Sequence, residues 1–214
     1  MDKVTHEKIT ESTKYPKLKL KRDPNTIHHY LKGEIKILTP AEYQKLRNVI
    51  PQKRHKTLLD ILLITGMRYI EVQRLWEHKE WYMRNENMIH LDGEAQQKHR
   101  RSQQERTIHP LPGMFDLLMD NFYSDRKPPA ESNWNTDLRA WAKLAGIAPY
   151  GLSAKTTRKT IESWLIKAEV NESAVCLRAG HDSVTSMKHY QGLAFNDIET
   201  QDIIRQLTVW GLVK

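Results

Sequence analysis

"HKTLLDILLITGMRYIEVQRLW", residues 55–76, sets an apolar run with one acid inside it ahead of a glycine, then places an arginine three residues before a glutamate. The longest apolar part, Leu58 to Met67, is interrupted by Asp60 and is about half the length that crossing a bilayer requires. It reads as a largely buried helix ended by Gly66, and "RYIEVQRLW" as a short helix after it carrying Ile70, Leu75 and Trp76. An isolated T-G-x-R is more often helix punctuation than chemistry. A surface pair of Arg68 with Glu71 is worth under about 1 kcal/mol. The neighbouring segments decide between punctuation and chemistry.

Upstream, "LTPAEYQKLRNVI" begins the folded part. Thr39 caps a helix, Pro40 suits its first position, and Glu42 completes a capping box, with Tyr43, Leu46, Val49 and Ile50 spaced to face a core. Downstream, between Trp81 and Pro110, the period changes to that of strands: "NMIHLDG" and "ERTIHPLP" form a hairpin around the basic loop "EAQQKHRRSQQ". Helical spacing resumes in "MFDLLMDNFY" and in "NTDLRAWAKLAG", where Leu138, Trp141, Leu144 and Ala145 make a stripe closed by Gly146. "NESAVCLRAG" and "SVTSMKHY" read as short helices around Gly180 and His181, and "FNDIETQDIIRQLTVWG" as a last amphipathic one. The fold class is therefore mainly α with a small antiparallel β-sheet, an α+β arrangement.

At 214 residues, 39% apolar and 28% charged, the chain can bury one sizeable core. Its amino end is charged throughout, with no apolar segment like that of a signal peptide, and the expected location is the cytoplasm. Cys176 is the lone cysteine, which rules out an intramolecular disulfide or a cysteine zinc cluster. The ten histidines show no ligand spacing, and no metal is assigned. The net charge of +8 favours a polyanionic partner. Residues 1–36, with nine Lys/Arg against five Asp/Glu, hold half of that excess. Their cluster "KYPKLKLKRDP", with Lys17, Lys19, Lys21 and Arg22, reads equally as a basic arm lying along a phosphate backbone or as a solubilising linker.

The stretch "GLSAKTTRKT", residues 151–160, gathers glycine, lysine, threonine and arginine. It is not a nucleotide loop, because Ala154 stands where a glycine must precede the lysine for backbone amides to wrap the phosphates. It reads instead as a helix capped by Ser153 that turns Ile161, Trp164, Leu165 and Ala168 inward and leaves Lys155 and Arg158 on its other face. They stand about one turn apart near the positive end of the helix, where an anion is favoured.

In order, "TGMRYIEVQRLW", the lysine of "QQKHRR", "KTTRKT" and "AGHDSVTSMKHY" resemble the catalytic domain of the tyrosine recombinases, the phage-integrase-like family, over roughly residues 37–214. "TGMRYIEVQRL" looks like the family's first arginine box, with Arg68 as the catalytic arginine and Glu71 three residues later. Arg158, His181 and Tyr190 fit the second box, with the tyrosine nine residues after the histidine. Lys155 stands where the family usually has a histidine, a replacement associated with some archaeal viral and plasmid integrases. The hairpin is longer than in the commonest members, so Lys98 is the best candidate for the family lysine, with Arg100 and Arg101 left open as alternatives.

The resemblance implies a site-specific recombinase that cuts and rejoins double-stranded DNA through a 3′-phosphotyrosyl intermediate, without metal, cofactor or ATP, as a tetramer on DNA. Arg68 and Arg158 would neutralise the nonbridging oxygens, Lys98 would protonate the departing 5′ oxygen, and Tyr190 would attack. His181 and Lys155 would hydrogen-bond to the scissile phosphate, and Glu71 would orient an arginine from behind. Arg100, Arg101 and the arm residues would contact the DNA backbone. The family's usual N-terminal clamping domain does not fit into 36 residues. The helix within residues 195–214, with Phe195, Ile198, Ile203, Ile204 and Leu207, either packs on a neighbouring protomer or closes its own core. Two other readings remain: a DNA-binding protein on this scaffold that has lost cleavage, and a relaxing enzyme like the type IB topoisomerases.

Overall fold

The computed structural model describes residues 30–31, 35–93, 105–180 and 195–214. It opens with a two-stranded antiparallel ribbon, β1 (Tyr30–Leu31) and β2 (Ile35–Lys36). The backbone of Lys36 donates to the carbonyl of Gly151, the amide of Leu38 donates to Thr160, and the Trp164 indole donates to the carbonyl of Leu38 at 2.9 Å. These bonds lay residues 36–38 against a helix more than a hundred residues later in the chain.

Helix α1 (Pro40–Val49) starts as its sequence requires: Thr39 Oγ1 accepts from the amide of Glu42, and the Glu42 carboxylate accepts from the amide of Thr39, both at 3.1 Å. Helix α2 (Lys53–Thr65) is buried along nearly its whole length. The charge inside it is satisfied. Asp60 accepts from the Tyr43 hydroxyl at 2.6 Å and from Arg47 through both carboxylate oxygens, so a polar group in the core keeps its partners. Helix α2 ends in a left-handed residue at Gly66, and α3 (Tyr69–Glu77) begins after Arg68.

A single 3-10 turn (Lys79–Trp81) then leads into an antiparallel sheet of β3 (Tyr82–Met83), β4 (Met88–Leu91) and β5 (Arg106–Ile108), in the order β3-β4-β5. Strand β3 extends the two-strand hairpin read from the sequence. Ile89 pairs with Ile108 and Leu91 with Arg106, and all four face inward. The basic tip of the hairpin lies outside the described residues.

The remaining helices are α4 (Phe115–Tyr123), α5 (Glu131–Leu144), α6 (Ala154–Lys167), α7 (Glu172–Ala179) and α8 (Asp197–Val209). Helix α5 begins earlier than "NTDLRAWAKLAG" suggests, because Trp134 is fully buried and adds a turn of core contact. Its stripe runs through Trp134, Leu138, Trp141 and Ala142, while Leu144 is 73% exposed. The sequence expectation for Leu144 is thus corrected: it lies at the helix end, where the chain turns away before Gly146.

Helix α8 packs on α1 and α6. Phe195, Ile203 and Leu207 are buried, and Trp210, just past the helix, stacks on Trp164 at 6.1 Å with Tyr43 edge-on. Ile198 and Ile204 face outward. The described part of this segment therefore closes its own core with one face and presents a partly apolar face to the outside. Among the described residues, no helix is long and apolar enough to cross a membrane.

Candidate active site

The turn after α2 and the end of α7 meet, and the arginines gather there. Arg68 sits at the start of α3 with its side chain 24% exposed. Glu71, one turn into α3, is fully buried and faces back toward it. The Glu71 carboxylate accepts from the Arg68 amide at 2.6 Å and from Arg68 Nη1 at 2.5 Å. Arg68 Nη2 reaches the carbonyl of Gly180 at 3.4 Å.

Arg158 comes from α6. Its Nη1 donates to the carbonyl of Gly66 at 2.9 Å, its Nη2 to the carbonyl of Ala179, and its Nε lies 3.0 Å from Glu162. Arg68 and Arg158 therefore hold adjacent carbonyls at the end of α7, and Arg158 also holds the turn two residues before Arg68. The next residue in the chain is His181.

Arg158 does not lie on a solvent face, as the helical spacing of the sequence suggested. Helix α6 is buried almost all round, from Thr156 to Leu165, so the face opposite Trp164 is covered by the ends of α2 and α7. Lys155 is exposed, in the first turn of α6, where its amide donates to the capping Ser153 hydroxyl at 3.3 Å.

Two further arginines belong to this cluster and were missed in the sequence. Arg106, on the inward face of β5, donates from Nη1 and Nη2 to the two oxygens of Glu71 at 2.9 and 2.7 Å. Arg178, on α7, donates to the carbonyls of Pro110 and Ile64 at 2.8 and 2.7 Å. The two-residue period of a strand carries a signal for the first: once Ile108 is assigned inward, Arg106 must point the same way. Nothing in the helical spacing distinguishes Arg178.

The electrostatics follow from this crowding. Burial by itself pushes the Glu71 carboxyl up, but Arg106, Arg68 and Arg158 outweigh it and hold the group down at about 2. Burial pushes Arg158 down to about 10, and the neighbouring Arg68 and Arg106 add to this against the opposing pull of Glu162 and Glu71. Burial and Arg106 push Arg178 down to about 10 as well. All remain charged at neutral pH. Arg68, Arg106, Arg158 and Arg178 outnumber the carboxylates of Glu71 and Glu162 in this cluster, so positive charge is in surplus, and the surroundings favour an anion with oxygens to share.

Of the residues singled out from the sequence, the structure brings Arg68, Glu71 and Arg158 together and leaves Lys155 exposed one turn from Arg158. Lys98, Arg100, Arg101, His181, Tyr190, Lys17, Lys19, Lys21 and Arg22 lie outside the described residues.

A mainly helical domain with a small antiparallel sheet thus carries a buried, positively charged arginine cluster beside the T-G-x-R turn, which suits a protein that acts on a polyanion. The model of the phage integrase family matches residues 36–197, and the chain belongs to this family of tyrosine recombinases. Membership carries with it DNA binding and a role in recombination. No curated protein matches the chain.

Proposed function

We propose that the chain is a site-specific integrase that cleaves and rejoins DNA strands through a 3′-phosphotyrosyl intermediate. One observation supports this above the others: Arg68 and Arg158, ninety residues apart in the chain, converge on adjacent carbonyls with buried carboxylates behind them. A phosphodiester in attack gathers charge on its nonbridging oxygens, and guanidiniums set in place beforehand stabilise that charge without reorganising.

In this reading the Tyr190 phenol, whose ionisation the surrounding cations favour, gives its proton to solvent, and its oxygen attacks the scissile phosphorus. The bond to the 5′ oxygen breaks, and Lys98 delivers a proton to that leaving oxygen. Arg100 and Arg101, two and three residues after Lys98 in the sequence, contact the DNA backbone. His181 and Lys155 hydrogen-bond to the phosphate, with Lys155 free at the surface to swing toward bound DNA. The phosphotyrosine linkage conserves the bond energy, and attack by a 5′ hydroxyl of another strand reverses the step. The basic arm tracks the backbone of double-stranded DNA, and protomers assemble as a tetramer on their sites. The arm's phosphate contacts make binding fall steeply with salt.

The test is covalent capture. A pool of duplexes of randomised sequence, each nicked just beyond the position to be cut, loses the short 5′-hydroxyl fragment after cleavage and traps the protein on the DNA. Wild type is expected to form an adduct that survives denaturing electrophoresis, and Tyr190→Phe to bind DNA while forming none. Salt-sensitive binding with no adduct would reassign the chain as a DNA-binding member of its family. Relaxation of supercoiled plasmid by the monomer, without paired sites, would point to a relaxing enzyme instead.

A further inference from the structure

We infer that Arg106 is a positioning residue for the proposed reaction, fixing Arg68 through Glu71 and seating the turn at Gly180. The inference rests on the active-site reading above. Each oxygen of Glu71 accepts from both arginines: Oε1 from Arg68 Nη1 at 2.5 Å and Arg106 Nη1 at 2.9 Å, and Oε2 from the Arg68 amide at 2.6 Å and Arg106 Nη2 at 2.7 Å. The carboxylate cannot turn toward or away from Arg68 without giving up a hydrogen bond to Arg106. A planar fork holds such a plane, whereas an ammonium holds only a point.

Arg106 also meets the other side of the site. Gly180 is left-handed at φ +67°, and a Cβ there would stand 2.8 Å from Arg106 Cδ and 2.9 Å from its Nη1. The arginine stem thus fills the space that a side chain at 180 would need, and the chain leaves Gly180 directly into His181. Strand β5, which begins at Arg106, pairs with β4, and Lys98 falls between the two in the sequence. One side chain therefore bonds to Glu71 behind Arg68, lies against Gly180 just before His181, and belongs to the strand that follows Lys98 in the sequence. A buried ion pair is a poor choice for stability alone, since well-packed apolar residues often serve as well or better. Position is what the bidentate pair supplies and an apolar pair cannot.

Arg106→Lys keeps the charge and loses the fork, and Arg106→Met removes both. Thermal unfolding first establishes that each variant folds. On a nicked duplex recovered by covalent capture with wild type, Arg106→Lys is expected to bind normally and form adduct about 100-fold more slowly, the scale of a misplaced catalytic group. The deficit is expected to shrink when the scissile phosphate is replaced by a methylphosphonate, which lacks the charge Arg68 neutralises. Added to Arg68→Ala, Arg106→Lys is expected to cause little further loss. A wild-type adduct rate in Arg106→Lys, or a loss that multiplies with that of Arg68→Ala, overturns the inference and leaves the active-site reading standing.

If wild type itself forms no adduct, that reading fails instead, and nitrogen-15 spectra of the arginine side chains in the free protein judge Arg106. A slowly exchanging Arg68 guanidinium signal that collapses in Arg106→Lys supports positioning. An unchanged signal overturns it.

Discussion

Arg158 donates from Nη1 to the carbonyl of Gly66 at 2.9 Å and so joins α6 to the turn that presents Arg68. The bond spans 92 residues of sequence. The acceptors at Gly66 and Ala179 are neutral carbonyls, so these two bonds hold the guanidinium without cancelling its charge, and among the described residues only Nε meets a carboxylate, that of Glu162 at 3.0 Å. Arg178 likewise donates to carbonyls, those of Pro110 and Ile64. The site is thus braced by hydrogen bonds and still positive, a combination that a set of simple ion pairs cannot give.

The two proposed phosphate-binding arginines are expected to differ in what they do for stability. Arg158→Ala strips Gly66 and Ala179 of a donor and takes one cation from the buried Glu162, a loss of about 3–5 kcal/mol for a broken buried pair. Arg68→Ala leaves Glu71 with both bonds from Arg106 and is expected to cost about 1–2 kcal/mol. Urea unfolding compares them directly. Equal losses would mean that Arg158 does not hold the turn.

Glu71 makes stability depend on acid. Its folded carboxyl titrates at about 2 against an ordinary value of 4.5, so the folded state binds its proton less readily than the unfolded chain. The stabilisation is present in full above about pH 4.5 and is lost as pH falls toward 2. At about 1.4 kcal/mol per unit it is on the order of 3 kcal/mol. Glu71→Gln is expected to be less stable at neutral pH and to show a flatter profile across that window. Unfolding free energies measured from pH 6 to pH 2 check this, and parallel profiles would contradict it.

Gly180→Ala is expected to cost more than Gly146→Ala, although both glycines are left-handed, at φ +67° and +70°. The shared backbone cost is about 1 kcal/mol. Only at 180 does the new methyl collide with a buried side chain, that of Arg106, whereas at 146 it meets open space. Melting temperatures separate the two, and equal shifts would show that Arg106 gives way freely.

On α5, Leu138 is buried and Leu144 is largely exposed. Leu138→Ala is expected to cost about 2–5 kcal/mol, and Leu144→Ala to stay within about 0.5 kcal/mol of wild type. Chemical denaturation of the pair tests the corrected stripe.

Much of the fold could be read from local chemistry. Thr39, Pro40 and Glu42 announce α1, Gly66 and Gly180 end α2 and α7, and alternation marks β4 and β5, because caps and periods act between residues a few positions apart. Strand β3 is two residues long, too short to show a period, and was not foreseen. The apolar face of α8 gave two options from sequence; contacts with Tyr43, Trp164 and α6 decide which of its residues turn inward.

For the site, the sequence by itself determined the residue types, their order and the spacing of the arginine boxes, and with these the family. Tertiary structure alone decided that Arg158 faces a covered junction instead of solvent, that Arg106 and Arg178 join it, and that Glu71 is shared. The physical reason is range. Periodicity says which side of an element a residue occupies, but not what is laid against that side, and the meeting of the α2 turn, β5 and the end of α7 comes from packing between segments far apart in the chain.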